Sequence, residues 1–248
     1  IPSAVARPGT NQIALRVHAE VPRSGALGPI LVGAEPVLRD RALRDLFLHT
    51  FGPAVVGVTI VVLGIFIGVL WLRRPDPTYG LFSATAIVFG IHTGMSLTAS
   101  PPLPQPHWGV WWNSLYMLFV GLMCLFCLRF AEVDWRMLRR VIVTFVIAVP
   151  IVLYAAVATG VAGTAAAVVR LCGILIVLVT LTQVARYALR RRDTESLLLL
   201  FAGATAAGFG LHDWLAAQVA AELRPLILVP YAGLAFLLLV GWIHVNRF

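Results

Sequence analysis

Six residues with polar or aromatic side chains lie within or at the edge of apolar stretches, where such groups can bind a ligand or carry a proton. They are His92, Trp112, Asn113, Arg170, His212 and Asp213. Polar groups are costly inside a membrane, so those that occur there are candidates for function. If the stretches are helices that cross a membrane, all six lie near the same side. The set predicts a small outward-facing ligand-binding pocket between helices.

A structural explanation of the same residues stays open. Side chains near a membrane boundary contact lipid headgroups, and polar groups also join neighbouring helices. His212 and Asp213 could simply hold loops in place. A proton sensor is a further reading, because histidine changes its charge near neutral pH. Its pH response would disappear in His92→Ala or His212→Ala. The ligand is not identified by the sequence.

The composition indicates an all-α membrane protein. Hydrophobic residues make up 60% and charged residues 12% of the 248 positions, and the mean hydropathy is +0.90. Soluble domains are about 45–50% apolar and about 25% charged. All 19 basic residues are arginines, and the net charge is +8. We assign this charge to membrane topology, and we expect the lipid bilayer rather than nucleic acid as the partner.

Seven stretches are long enough to cross a membrane, which takes about 20 apolar residues. Residues 160–164 divide a run of some 50 apolar residues, so that run is predicted to be a helical hairpin. The predicted fold is therefore a bundle of seven transmembrane helices over residues 48–248. The spans are 48–72, 79–98, 109–130, 139–160, 165–188, 196–216 and 225–246.

Arginine placement predicts which way the bundle faces. With the N-terminus outside, only Arg170 and Arg224 lie in the outer loops between helices or at the adjoining helix ends. The inner loops and helix ends then hold the other eleven that follow the first span. They are Arg73, Arg74, Arg129, Arg136, Arg139, Arg140, Arg186, Arg190, Arg191, Arg192 and Arg247. Cytoplasmic loops carry such an excess, so the C-terminus is predicted to lie inside.

Residues 1–47 differ from the rest of the chain. Residues 12–18 alternate between apolar and polar in the manner of a strand, and Gly28-Pro29, Gly33 and Pro36 punctuate the segment that follows. Two or three strands cannot bury a core alone. We expect the last strands of a truncated exterior β-sandwich, followed by a short amphipathic helix from Arg39 to Leu48. The sequence is thus interpreted as a fragment of a longer protein.

Four short motifs carry a resemblance to a known family. Gly9-Thr10-Asn11-Gln12-Ile13-Ala14-Leu15-Arg16-Val17 resembles the closing strand of exported carbohydrate-binding-like β-sandwiches. It is followed by Gly28–Gly33, by Tyr79-Gly80-Leu81-Phe82 and by Leu211-His212-Asp213-Trp214. The order of these motifs and the predicted helix count resemble the bacterial seven-transmembrane receptors with diverse intracellular signalling modules.

This resemblance implies a sensor in the bacterial inner membrane with its N-terminus in the periplasm. An exterior domain or a small ligand would supply the signal. A cytoplasmic output domain would receive it, most often a histidine kinase of a two-component system and sometimes a diguanylate cyclase or phosphatase. These 248 residues hold no catalytic motif, so the full-length protein would carry the enzyme. No cofactor is expected, and the type of output domain is not given.

A transporter or channel subunit is the alternative function. Transport usually requires repeated halves, broken helices and charged groups near the midplane. The sequence has an odd number of predicted spans, no internal repeat, and Asp213 as the one carboxylate within a span. A retinal protein is excluded, because it needs a lysine in the last span and the chain has none.

The cysteines and small residues favour structural explanations. Cys124-x-x-Cys127 lies in the third predicted span and Cys172 in the fifth, and we expect inert thiols and no metal site. Small residues at four-residue spacing let helices approach closely, which favours packing within the chain and leaves a homodimer open. These positions are Gly64 and Gly68, Ala86, Gly90 and Gly94, Ala204 and Gly208, and Gly203 and Ala207.

Overall fold

The computed structural model describes residues 32–73, 75–98, 101–219, 226–234 and 242, and most of these are helical. The helices are α1 (Glu35–Leu46), α2 (Gly52–Arg73), α3 (Pro77–Ser96), α4 (His107–Phe130), α5 (Arg136–Ala158), α6 (Ala162–Arg191) and α7 (Thr194–Val219). A short helical segment over 229–234 follows α7. The all-helical prediction is confirmed for this part of the chain.

The first two helices are joined without a break. A π-helical turn, Phe47–Phe51, connects α1 to α2, so helix runs from Glu35 to Arg73. The helix predicted before the first span is therefore present, although it begins earlier than Arg39. The predicted domain boundary after residue 47 falls in the π-helical turn. Residues 1–31, which hold the predicted strands, lie outside the described residues.

Five helices of the described chain are long and apolar enough to cross a membrane. They are Glu35–Arg73, His107–Phe130, Arg136–Ala158, Ala162–Arg191 and Thr194–Gln218. Side chains such as Val58, Ile151 and Phe201 are more than half exposed on them. Such apolar surfaces are typical of helices solvated by lipid. A multi-pass membrane protein is thus the class that the structure supports.

Two of the seven predicted spans differ from these five. The second corresponds to α3, a 20-residue helix that has no stretch apolar enough to place it among the five. Its Thr85 and Ser96 hydroxyls donate to carbonyls one turn back in the same helix, which satisfies them locally. The seventh falls largely outside the described residues. The count of seven therefore stays a prediction.

Helix α4 forms the centre of the bundle. It contacts α3, α5 and α6, and its Phe126 and Leu128 are 1% exposed. Phe82 of α3 packs edge-on against Phe126, with 5.9 Å between the ring centres. Cys124 and Cys127 are buried in the same core. Because these thiols are enclosed by apolar side chains, they fill space in the core as predicted.

Helices α2 and α3 approach closely along a line of small residues. A Cβ at Gly64 would lie 2.9 Å from the Ala86 Cβ, and Ser83 donates a hydrogen bond of 2.8 Å to the Gly64 carbonyl. A Cβ at Gly94 would meet nothing within 4 Å. The small residues at Gly64 thus allow close packing of α2 against α3 within the chain. The two helices are less closely packed near Gly94.

The bundle has two unlike ends. The histidine end comprises the last turns of α3, α5 and α7 and the first turns of α4 and α6, and it holds His92, His107 and His212. The arginine end comprises the other ends of these helices and the end of α2. It holds Arg73, Arg129, Arg136, Arg139, Arg140, Arg186, Arg190, Arg191 and Arg192.

Candidate functional site

Four of the six predicted site residues meet at the histidine end. We call His92, Trp112, Asn113 and Arg170 the polar cluster. Helices α3, α4 and α6 supply its members. The Arg170 Nε and Nη2 donate to the Asn113 Oδ1 at 3.0 and 2.9 Å. The Asn113 amide nitrogen donates in turn to the Gly109 carbonyl at 2.7 Å, which fixes the orientation of the amide.

Arg170 is held by an amide and an aromatic ring rather than by an acid. Its guanidinium carbon lies 5.4 Å from the centre of the Trp112 ring, within the range of a cation–π contact. No ion pair of the described residues includes Arg170. A guanidinium has five N–H donors, and two of them donate to Asn113. The others remain able to bind an anion.

His92 is buried between two aromatic rings. Its imidazole centre lies 4.9 Å from that of Trp112 and 5.2 Å from that of Tyr116. The side chain is 7% exposed, and its Nε2 has no hydrogen-bond partner among the described residues. Buried polar atoms are usually paired. The His92 Nε2 is therefore available to pair with a group that the described residues do not supply.

Trp112 also links α4 to α3 by hydrogen bonding. Its Nε1 donates to the Ser96 Oγ at 2.9 Å, and this hydroxyl donates to the His92 carbonyl at 3.0 Å. Ser96 was missed by sequence reasoning, because a serine near the end of a helix has no distinguishing pattern. Trp111, the neighbouring aromatic residue, is 54% exposed and points away from these contacts.

His212 and Asp213 form a separate group on α7. The His212 Nδ1 lies 3.0 Å from the Asp213 Oδ1, and the two side chains are 50% and 15% exposed. The Asp213 carboxylate accepts hydrogen bonds from the backbone nitrogens of Leu228 and Val229 at 2.9–3.0 Å. A carboxylate at this position caps the N-terminus of the 229–234 helical segment. Asp213 thus positions the segment after α7.

The 229–234 segment also contacts the first helices. The Tyr231 hydroxyl donates a hydrogen bond of 2.8 Å to the Leu48 carbonyl in the π-helical turn. A π-helical turn leaves carbonyls without their usual partners and often marks a functional position. Asp213 and Tyr231 therefore connect the end of α7 to the junction of α1 and α2. Nothing in the sequence pattern identified Tyr231 or Leu48.

A cavity of about 50 Å³ opens next to the polar cluster. Arg170 and Tyr116 line it, and the rest of its wall is apolar. The cavity is the space left beside short side chains on α6, α7 and the following segment. The residues concerned are Gly173, Ala206, Ala207, Gly210, Ala232 and Gly233. Tyr116 was also missed, since an aromatic residue in a span is typical of a core.

A second, open groove of about 270 Å³ lies between α2 and α3. Its lining is apolar or small and includes Gly57, Gly90, Thr93 and Gly94. The Thr93 hydroxyl is buried without a hydrogen-bond partner among the described residues, as is that of Ser114. This groove and all three unpaired buried polar atoms of the described residues thus lie toward the histidine end. The cavity that Arg170 lines lies deeper, beside the middle turns of α4, α6 and α7.

The arrangement is suited to binding a ligand. Across the described residues, no group of three or more metal-binding side chains occurs. The three cysteines are free, and two are buried in the core. A guanidinium with unused donors, a flat aromatic wall and an apolar cavity can bind an anion with an apolar body.

No protein-family model, curated protein or solved structure matches this chain. The functional interpretation therefore rests on the contacts at the histidine end and on the sequence resemblance described above.

Proposed function

We propose that this chain is the membrane sensor region of a bacterial signal-transducing protein. An exterior or intramembrane signal acts at the histidine end. A change in helix contacts carries it to the arginine end and on to a cytoplasmic output domain. By the sequence resemblance, that output domain is a two-component histidine kinase, and the protein resides in the inner membrane with its N-terminus in the periplasm.

One observation carries this proposal, namely that the unpaired buried polar atoms of the described residues are concentrated toward one end of the bundle. They belong to His92, Thr93 and Ser114. The groove between α2 and α3 lies at the same end, and the cavity that Arg170 lines adjoins it toward the middle of the bundle. Natural sequences usually satisfy such groups, and departures from that rule cluster at functional sites. A ligand that fills a cavity or pairs one of these atoms would favour one helix arrangement over another. Such differential binding is the energetic requirement for transmission.

The contacts of Tyr231 and Asp213 support a route for the signal. The 229–234 segment is tied to α7 through Asp213 and to the Leu48 carbonyl through Tyr231. Helix α1 continues into α2 through the π-helical turn that contains Leu48. Movement of an exterior domain attached before α1 would therefore act on the same segment that lines the cavity next to Arg170.

The test measures whether a change at the histidine end moves the arginine end. Spin labels are placed on Trp135→Cys and Arg190→Cys, both exposed residues, in a Cys172→Ala background. Ala206→Leu fills the cavity and is expected to shift the distance between the labels by about 2 Å, the size of typical helix shifts. Gly208→Ala, which adds a methyl group in open space on the same helix, is the control and should leave the distance unchanged. Identical distances in all variants would contradict a transmitting bundle.

A labelling experiment tests the orientation. Leu103→Cys lies in the connection between α3 and α4, and Trp135→Cys in the connection between α4 and α5. In intact cells, a membrane-impermeant maleimide is expected to modify the first and not the second. The reverse result would place the N-terminus in the cytoplasm and would overturn the outward-facing pocket.

A further inference from the structure

The cavity beside Arg170 has one charged wall and is otherwise lined by apolar and aromatic side chains. Among the described lining residues, Arg170 is the one that carries a charge, and Tyr116 is the one with a hydroxyl. Met117, Val120 and Ile174 are among the residues of the apolar wall. Such a cavity fits a molecule with an anionic group at one end and a hydrocarbon body at the other.

The charge of Arg170 has no acidic counterpart in the described residues. Asn113 supplies an oxygen dipole and Trp112 an aromatic face, but neither neutralises a cation. Asp213, the carboxylate on the neighbouring α7, is engaged by His212 and by the backbone nitrogens of Leu228 and Val229. A partly buried cation is costly unless an anion pairs with it. The site is therefore complementary to an added anion.

The size of the cavity limits the hydrocarbon body. Its volume is about 50 Å³, and a cavity of about 10–15 Å³ already holds one water molecule when volume is measured in this way. The space therefore takes about four atoms of that size. The cavity thus has room for a body of one or two carbons when the anionic group lies at Arg170. A planar carboxylate matches the fork of a guanidinium. Inorganic phosphate and chloride have no body to place against the apolar wall.

We propose that the cavity between α4, α6, α7 and the 229–234 segment binds a short-chain carboxylate of two or three carbons. Arg170 binds the carboxylate, the Tyr116 side chain lies beside it, and the methyl or ethyl group enters the apolar part. This inference deepens the proposed function by giving the sensor a ligand class. Binding itself can be measured without any signal being transmitted.

The experiment uses the purified chain in phosphatidylcholine nanodiscs, titrated with sodium propionate and followed by calorimetry. Saturable binding of propionate is expected. Propanol, octanoate, inorganic phosphate and chloride are each expected to bind at least about tenfold more weakly, the loss that follows from a missing charged hydrogen bond or an oversized body. Binding of propanol, phosphate or chloride as tight as that of propionate would overturn the carboxylate assignment, and equally tight binding of octanoate would overturn the limit to two or three carbons. Absence of saturable propionate binding would overturn the site.

Two variants locate the binding. Arg170→Gln is expected to weaken propionate binding at least about tenfold through loss of the charged partner. Arg190→Gln removes the same charge from an exposed position of the same helix and should bind as the unsubstituted chain does. Gly210→Ala adds a methyl group 3.9 Å from the Tyr116 hydroxyl, an ordinary contact. It retains Arg170 and should weaken propionate more than acetate.

The outcomes separate this inference from the proposed function. Wild-type affinity in both Arg170→Gln and Gly210→Ala would overturn the binding site, whatever the spin-label distances show. If propionate binds as expected but the arginine end does not move, the ligand site stands and the sensor function fails. Gly210→Ala keeps the test decisive if Arg170→Gln does not fold, since it leaves the Asn113 contact intact.

Discussion

The two ends of the bundle use the same residue type in opposite ways. At the histidine end, Arg170 is partly buried and contacts an amide oxygen and an aromatic ring. At the arginine end, Arg139 and Arg191 are about half exposed and pair with Asp134 and Glu132 at 3.5 and 3.3 Å. Pairing in water contributes little to stability. The buried contacts of Arg170 join helices. The exposed ion pairs instead involve acids in the connection between α4 and α5.

Packing also differs between the two ends of the bundle. The core toward the arginine end is closed by Phe82, Phe126 and Leu138, each less than 7% exposed. The half of the bundle toward the histidine end contains the groove between α2 and α3 and, among the described residues, three unpaired buried polar atoms. The cavity that Arg170 lines adjoins them toward the middle of the bundle. Since such defects lower stability, the contacts at this end are expected to be weaker than those at the closed, arginine end.

The largest effect is expected from Asn113→Leu. This substitution removes the acceptor of two Arg170 donors, and leaves a partly buried cation with its aromatic contact alone. The free energy of unfolding should fall by about 2–3 kcal/mol, as for other charged hydrogen bonds. It can be measured by titrating mixed micelles with sodium dodecyl sulfate. Gln218→Leu, at an exposed position of the same end, is the matched control. Equal stability of the two variants would contradict the expectation that the buried polar group contributes more to the free energy of unfolding than the exposed one.

The next effect is expected from Gly64→Ala. The added Cβ would lie 2.9 Å from the Ala86 Cβ and 3.3 Å from the Ile87 backbone nitrogen, so α2 and α3 must separate. Overpacking of this kind costs about 2 kcal/mol. Gly94→Ala adds the same methyl group where nothing lies within 4 Å and should cost far less. The unfolding midpoints of the two variants compare the closed and open parts of one helix pair. Similar losses at both positions would contradict a difference in packing.

The membrane helices and much of the cluster could be predicted from the sequence, for a physical reason. Lipid requires long apolar helices, so their positions follow from composition, and alternating helix directions bring His92, Asn113 and Arg170 to one level. Side-chain contacts do not follow in this way. Tyr116 and Ser96 resemble ordinary core and helix-end residues, and the cavity arises from where short side chains on three elements meet. Helix α3 is a case in which composition gives a weaker signal for a helix of the bundle. It is less apolar than its neighbours α2 and α4, although it packs against both.

A smaller effect is expected from Asp213→Asn. The amide retains one acceptor oxygen but loses the charge that favours the N-terminus of the 229–234 segment and its pairing with His212. Loss of a favourable charge at a helix N-terminus costs about 0.3–1 kcal/mol. Hydrogen exchange of the Leu228 and Val229 amides should accelerate accordingly. Asp76→Asn, at the cap of α3 where the carboxylate accepts from the Thr78 nitrogen at 2.7 Å, should leave those amides unchanged. Unaltered exchange in Asp213→Asn would show that the Asp213 charge does not hold this segment against α7.

The smallest effect is expected at the arginine end, from Glu132→Gln. The Glu132 and Arg191 side chains are 69% and 53% exposed, so water solvates each charge when the partner is removed. The coupling free energy from a double-mutant cycle with Arg191→Gln should stay below about 1 kcal/mol and decrease as salt is added. A coupling comparable to that of Asn113 with Arg170 would show that the exposed pair also joins helices. The contrast between the two ends would then lie in packing alone and not in how their arginines are paired.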